Sequence, residues 1–176
     1  MDNDQQSAEQ WLDREDQVDR EGRLSRLRWL QASYPDIEYQ SLPGGELVHY
    51  LFEEARYCFV YAQFVATVML GMAFIERMIA AALYGAGRDD LERANLSELL
   101  AAFQSYGWLS DVEYAQLDRA RENRNRIFHF RRPMYPDTLE MRVLEREELP
   151  YTILEEDARN VLLIIFRLIE SGPFSV

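Results

Sequence analysis

The stretch "YCFVYAQFVATVMLGMAFI", residues 57–75, decides the fold because it contains nineteen residues without a charge. It is long enough to cross a bilayer, since a membrane helix needs about 20 apolar residues. Polar residues interrupt it at Gln63 and Thr67, and the same helical pattern continues through Glu76 and Arg77. We therefore interpret it as part of a buried helix in a soluble protein and expect no membrane association.

The helical pattern extends on both sides of this stretch. It begins at Glu46, after a linker at 34–46 that contains two prolines and a Gly-Gly pair, and it continues to about Tyr84. The sequence therefore predicts one long helix, bent near Gly71 and ended by the Gly-Ala-Gly segment at 85–87.

Other helices are predicted before and after the long one. Residues 7–32 are typical of a charged helix that begins with Ser7 as its cap. A short helix capped by Asn95 or Ser97 runs to Tyr106. The next helix is opened by Leu109-Ser110-Asp111, runs to about Phe130 and is stopped by Pro133 and Pro136. Residues 137–150 are ambiguous and readable as a strand or a helical turn, and a last helix runs from Glu155 to Ser171.

These elements predict an all-α protein, a bundle of about four to five helices with an N-terminal helical extension. The chain has 176 residues, of which 48% are hydrophobic, which suits one domain with a substantial core. We place the charged extension and linker at 1–40 and the helical domain at 41–176.

The net charge of −12 argues against a protein that coats nucleic acid through its overall field. Positive charge is nevertheless concentrated, because residues 119–132 hold six arginines and one glutamate, and the chain contains no lysine. Cys58 is the single cysteine, which excludes an intramolecular disulfide and fits the reducing cytoplasm. Two histidines and one cysteine offer no credible zinc site, so we predict no metal and no cofactor.

The motif "RENRNRIFHF", residues 121–130, lies at the end of its predicted helix. At 100° per residue, Arg124 falls on the same face as the apolar Ala120, Ile127 and Phe128. A guanidinium there needs an anionic partner, because an unpaired buried charge is costly. Asn125 and His129 are one turn apart, so the amide can hydrogen-bond the imidazole and set its tautomer.

The segment "RNRIFH" resembles the signature of HEPN-domain proteins, small all-helical domains many of which are ribonucleases. Four residues separate Arg124 from His129, within the family's range of four to six. The order of elements from about Leu47 to Ser171 is similar as well, whereas residues 1–40 lie outside the resemblance.

The resemblance implies metal-independent RNA cleavage at the interface of a homodimer, with both protomers supplying the motif. The sequence also predicts a homodimer built on the long helix and the motif helix, because the run from Tyr57 to Tyr84 is apolar nearly all round and a second protomer would cover it. His129 is then the general acid or base, Arg124 stabilises charge on the phosphate, and Asn125 orients the histidine. Such proteins act as toxins or defence effectors, and the partner expected besides RNA is an antitoxin such as a minimal nucleotidyltransferase.

Other residues are expected to support this site. Glu76 is a lone acid in the long apolar helix, and the resemblance places a polar residue facing the motif there, although a surface ion pair with an arginine is an equal interpretation. Arg121 is a second supporting candidate. We expect Arg126, Arg131 and Arg132 to contact the RNA backbone or solvent.

Two alternatives remain beside the nuclease. The first is a HEPN-like domain that binds RNA or nucleotides, or acts as a scaffold, without cleaving. The second is an unrelated helical interaction protein whose acidic N-terminal helix is its docking element.

Overall fold

The computed structural model describes residues 7–34, 42–132 and 134–171. Within these ranges all regular structure is helical and there is no strand, which confirms the all-α prediction. They contain more helices than the four to five expected, namely α1 (Ala8–Val18), α2 (Arg20–Ser33), α3 (Glu46–Val60), α4 (Phe64–Gly85), α5 (Leu96–Ser105), α6 (Asp111–Phe128), α7 (Leu139–Arg146) and α8 (Pro150–Ser171). A short 3₁₀ turn at Asp89–Leu91 precedes α5.

The prediction of one long helix from Glu46 to Tyr84 is wrong, because the chain reverses at 61–63. Ala62 adopts a left-handed conformation with φ of 59°, which ends α3 and lets α4 fold back along it. Aromatic rings pair along the resulting hairpin. The ring centroids of Phe59 and Phe64 lie 5.9 Å apart, and those of Phe52 and Phe74 lie 5.5 Å apart. The expected bend site, Gly71, lies inside an uninterrupted helix.

The uncharged stretch at 57–75 is divided by this turn between two helices. Among the described residues, one helix is long and apolar enough to cross a membrane, Phe64–Gly85, and half of its most apolar window is buried inside the bundle. This helix, α4, packs against α3, α5, α6 and α8. The arrangement is compatible with a soluble protein whose central helix is α4.

Helix α4 approaches α8 closely at Gly71. A Cβ atom on Gly71 would lie 2.5 Å from Val161 Cγ1 and 3.2 Å from Ile165 Cδ1. A larger residue at position 71 would therefore force Val161 to move, so glycine favours the close packing of α4 on α8. The core around it is formed by fully buried side chains that include Phe59, Phe74, Phe103, Met72, Ile75, Met78, Ile79, Leu83, Leu99, Leu100, Leu117 and Ile153.

The N-terminal residues 7–32 do not form the single helix expected, because the chain breaks at Asp19 between α1 and α2. Ser7 caps α1 as predicted. Helix α2 packs against α3 and contributes Leu30 to the core, and Tyr34 stacks on Phe166 with ring centroids 5.1 Å apart. Much of the expected linker, residues 35–41, lies outside the described residues.

The second half of the chain follows its capping signals. Asn95 caps α5 and Ser110 caps α6, each through a reciprocal capping box. Helix α6 ends at Phe128, and the ambiguous stretch after it contains a helix, α7, which Thr138 caps. Helix α8 begins at Pro150 rather than Glu155, as suits a proline in the first turn.

Candidate active site

Arg124 lies on α6 where that helix crosses α4, and its Nη2 donates to Glu76 Oε2 across 2.9 Å. The two side chains are 23% and 36% exposed, so the ion pair lies at the edge of the core rather than within it. The apolar face predicted for α6 holds over Leu117 and Ala120, which are buried. It leaves the core at Phe128, whose side chain is 64% exposed.

His129 is the C-terminal cap of α6 and its side chain is exposed to solvent. Its backbone N–H donates to the Asn125 carbonyl at 2.9 Å, and its ring meets the Phe128 ring edge-on at 5.3 Å. The described residues show no hydrogen bond between the Asn125 amide and the His129 imidazole. The two residues are therefore joined through the backbone, and the ring is free to meet a ligand.

The other arginines of the motif region differ in their partners. Arg121 pairs with Asp118 of its own helix at 2.7 Å. Arg126 donates to Asn123 at 2.9 Å and pairs with Asp137 at 3.3 Å. Both guanidinium groups are therefore paired with carboxylates on or close to α6.

Arg131 and Arg132 follow His129 and are exposed. The Arg131 guanidinium lies 6.0 Å from the Tyr135 ring, and neither arginine pairs with a carboxylate in the part of the chain that the structure describes. Phe130, between these arginines and His129, is 88% exposed. Within the part of the chain that the structure describes, the end of α6 thus presents to solvent an imidazole, an aromatic ring and two positive charges that have no carboxylate partner.

The structure contains a buried polar network beside the motif that the sequence did not predict. Arg142 of α7 donates from Nη1 and Nη2 to the two oxygens of Asp157 at 2.6 and 2.9 Å, and Asn123 of α6 donates to the same carboxylate at 3.3 Å. Asp157 is only 5% exposed. No sequence signal marks this network, because its members come from three helices and lie 15 and 34 residues apart.

A cleft of about 580 Å³ opens between α6 and α8. Its lining combines apolar and polar side chains: Val68, Asp111, Val112, Ala115, Gln116, Arg119, Ala120, Asn123, Asp157, Asn160, Val161, Leu163, Ile164 and Arg167. Arg124, Asn125 and His129 do not line it. The cleft is therefore a feature of the middle of α6, distinct from the motif at the helix end.

The exposed end of α6 suits proton transfer and anion binding. Imidazole is the side-chain group that most often serves as a general acid or base. Arg124 uses one guanidinium nitrogen for Glu76, so its other N–H groups remain available to a phosphate oxygen. Within the described residues, no group of three histidine, cysteine or acidic side chains lies together in a way that could hold a metal ion.

Comparisons of the chain with protein-family models, with curated proteins and with solved structures find no match.

Proposed function

We propose that this protein is a metal-independent endoribonuclease of HEPN type, a cytoplasmic toxin or defence effector. The observation that carries the proposal is the end of α6, where exposed His129 follows Arg124 and precedes Arg131 and Arg132, which make no ion pair among the described residues. Cleavage of a phosphodiester needs both a proton-transfer group and positive charge, and these four residues supply them at one helix end and in the segment after it.

In the proposed reaction, His129 of one protomer accepts the proton of a ribose 2'-hydroxyl as that oxygen attacks the adjacent phosphorus. A protonated His129 from the second protomer gives its proton to the departing 5'-oxygen. The bond between phosphorus and the 5'-oxygen breaks, and the products are a 2',3'-cyclic phosphate and a 5'-hydroxyl. Arg124 donates to the non-bridging oxygens, on which negative charge increases during the attack.

Asn125 acts on the histidine in two ways under this proposal. Its carbonyl holds the His129 backbone at 2.9 Å, a contact that any residue at this position can make. Its amide orients the imidazole only once RNA is bound, when hydrogen bonds at an active site tighten.

The proposed active form is a homodimer in which the two copies of the motif face each other across the dimer interface. Phe128 and Phe130 flank His129 and are 64% and 88% exposed, so a second protomer has apolar surface to cover beside the motif. In such a dimer, Glu76 offsets the repulsion between the gathered arginines. A minimal nucleotidyltransferase as antitoxin is part of the proposal because of the resemblance alone.

A non-catalytic RNA-binding or nucleotide-binding domain is the second candidate. It is favoured by two observations: Glu76 engages Arg124, and the Asn125 amide does not contact the imidazole among the described residues. A domain of this kind would use the same cationic helix end to hold a phosphate without cleaving it.

The deciding experiment incubates the purified protein with total RNA in excess chelator, beside a His129→Ala variant of equal helix content. We expect cleavage by the wild type, with cyclic phosphate ends, and none by the variant. If both proteins bind RNA equally and neither cleaves it, the proposal of an RNA-binding domain replaces that of an enzyme.

A further inference from the structure

Helix α1 carries an apolar face that its own bundle leaves exposed. None of its residues is buried, and Trp11, Leu12 and Val18 are 56%, 55% and 74% exposed. At 100° per residue these three side chains fall on one side of the helix, with Glu15 at the middle of that side. A face of this composition is typical of a helix that docks on another surface.

The joint between α1 and α2 holds α1 in a defined direction. Arg26 is 4% exposed; it donates to the carboxylate of Asp19 at the break and, at 2.9 Å, to the Tyr151 hydroxyl of α8. Arg23 pairs with Asp16 at 3.1 Å and also donates to the Asp16 carbonyl. Folding α1 back onto its own bundle would break these contacts, so its apolar face is held available to another molecule.

The cleft between α6 and α8 has the shape and lining that such a helix requires. Its floor is apolar and buried at Val68, Ala120 and Val161. Along α6 it extends from residue 111 to residue 123, a rise of about 18 Å at 1.5 Å per residue, and α1, with 11 residues, is about 16 Å long. An amphipathic helix lying in a groove between two helices is a common mode of recognition.

The charges in the two apolar surfaces are complementary. Arg119 lies in the α6 wall of the cleft, is exposed and makes no ion pair with any described residue. Glu15 lies in the apolar face of α1, is also exposed and has no ion-pair partner among the described residues. Asp157, the buried acid in the lining of the cleft, already forms an ion pair with Arg142.

We propose that two copies of the chain exchange their α1 helices, each lying in the α6–α8 cleft of the other. Trp11 and Leu12 then cover the apolar floor, and Glu15 pairs with Arg119. The exchange is reciprocal, as a two-fold dimer requires. It does not depend on the nuclease, because no residue of the motif takes part.

Cross-linking between chains tests the exchange directly. In a Cys58→Ser background, one chain carries Leu12→Cys and a second chain carries Ala115→Cys. The two proteins are mixed and treated with a short bis-maleimide. This reagent can join the two cysteines whichever way α1 runs along the cleft. We expect a covalent dimer from this mixture. A chain with Gln17→Cys, on the opposite face of α1, should give at least about tenfold less product and is the matched control.

Charge reversal then tests the pairing of Glu15 with Arg119. Glu15→Arg and Arg119→Glu should each lower the cross-linking yield about tenfold or more, and the combined variant should restore it. Asp13→Arg makes the same change of charge on the outer side of α1 and should leave the yield unchanged.

Three results would overturn the proposal. One is the absence of a Leu12-to-Ala115 cross-link between chains, and another is a link that forms within a single chain carrying both cysteines. The third is a yield that does not respond to Glu15→Arg. The RNA cleavage assay reports separately on the nuclease, since the motif is intact in every variant.

Discussion

Arg124 of α6 and Glu76 of α4 form an ion pair across 2.9 Å, although 48 residues separate them in the chain. The pair joins α6, the helix that carries Arg124, Asn125 and His129, to the central helix of the bundle. It places the guanidinium at the edge of the core, where Nη2 bonds Glu76 and the side chain as a whole is 23% exposed. Glu76 therefore bears both on the stability of the bundle and on the position of the Arg124 side chain.

Removing either partner of this pair should have a small effect on folding. The two side chains are 23% and 36% exposed, and partly exposed ion pairs contribute about 1 kcal/mol or less. We expect Glu76→Gln and Arg124→Ala each to lower the free energy of unfolding by about that amount in urea denaturation. A loss of several kcal/mol in either variant would show that the pair is part of the buried core instead.

Replacing His129 should abolish RNA cleavage while leaving the fold intact. Loss of a proton-transfer group costs about a hundredfold or more in rate, and loss of a charge-stabilising donor at Arg124 costs a similar factor. Arg132→Ala removes at most one phosphate contact, so its effect should be about tenfold or less. The rates are measured on a single RNA under chelation, and equal rates for wild type and His129→Ala would exclude this histidine from the chemistry.

Breaking the buried pair between Arg142 and Asp157 should destabilise the protein strongly. Arg142→Ala leaves a carboxylate that is 5% exposed without its guanidinium, and such losses cost about 3–5 kcal/mol. Arg146→Ala, on the same helix, removes a more exposed arginine and should cost about 1 kcal/mol or less. Chemical denaturation compares the two variants, and similar losses would contradict the burial argument.

Adding a methyl group at Gly71 should destabilise the crossing of α4 and α8. The new Cβ would lie 2.5 Å from Val161 Cγ1, and such overpacking costs about 1–3 kcal/mol, against a gain of about 1 kcal/mol in helix propensity. We expect Gly71→Ala to lower the melting temperature. Gly85→Ala meets no atom within 4 Å and is the control, which should melt close to the wild type. An unchanged Gly71→Ala protein would show that Val161 moves aside freely.

The cap of α6 should make part of the stability depend on pH. The Ser110 hydroxyl, and then its backbone N–H, donate to the Glu113 carboxylate and lower the pKa of that group below its ordinary value of 4.5. A lowered pKa in the folded state stabilises the protein above the unfolded pKa, and this contribution is lost as the pH falls through the folded value.

Glu113→Gln should therefore be less stable than the wild type at pH 7, by about 1 kcal/mol or less, and the difference should shrink below about pH 4. Thermal unfolding across pH 3–7, roughly the range of carboxyl titration, measures it. Glu92→Gln, at an exposed position, should show no such change. A difference that grows as the pH falls would have the wrong sign for this cap.

Local signals in the sequence predicted the parts of the fold that depend on neighbouring residues. Ser7, Asn95 and Ser110 are helix caps because each side chain bonds an N–H three residues later, an interaction within one turn. The spacing of apolar residues likewise predicted an all-helical chain, and the motif was placed correctly at the end of a helix.

Only the tertiary structure decided where the chain turns and which polar residues meet. The turn at Ala62 carries no glycine or proline, so its left-handed backbone is unfavourable in isolation and is held by the aromatic packing of Phe59 on Phe64. The partners Glu76 and Arg124, and Arg142 and Asp157, lie far apart in the chain. Caps and periodicity follow from contacts within a turn of helix, whereas these pairings exist only once α4, α6, α7 and α8 have packed together.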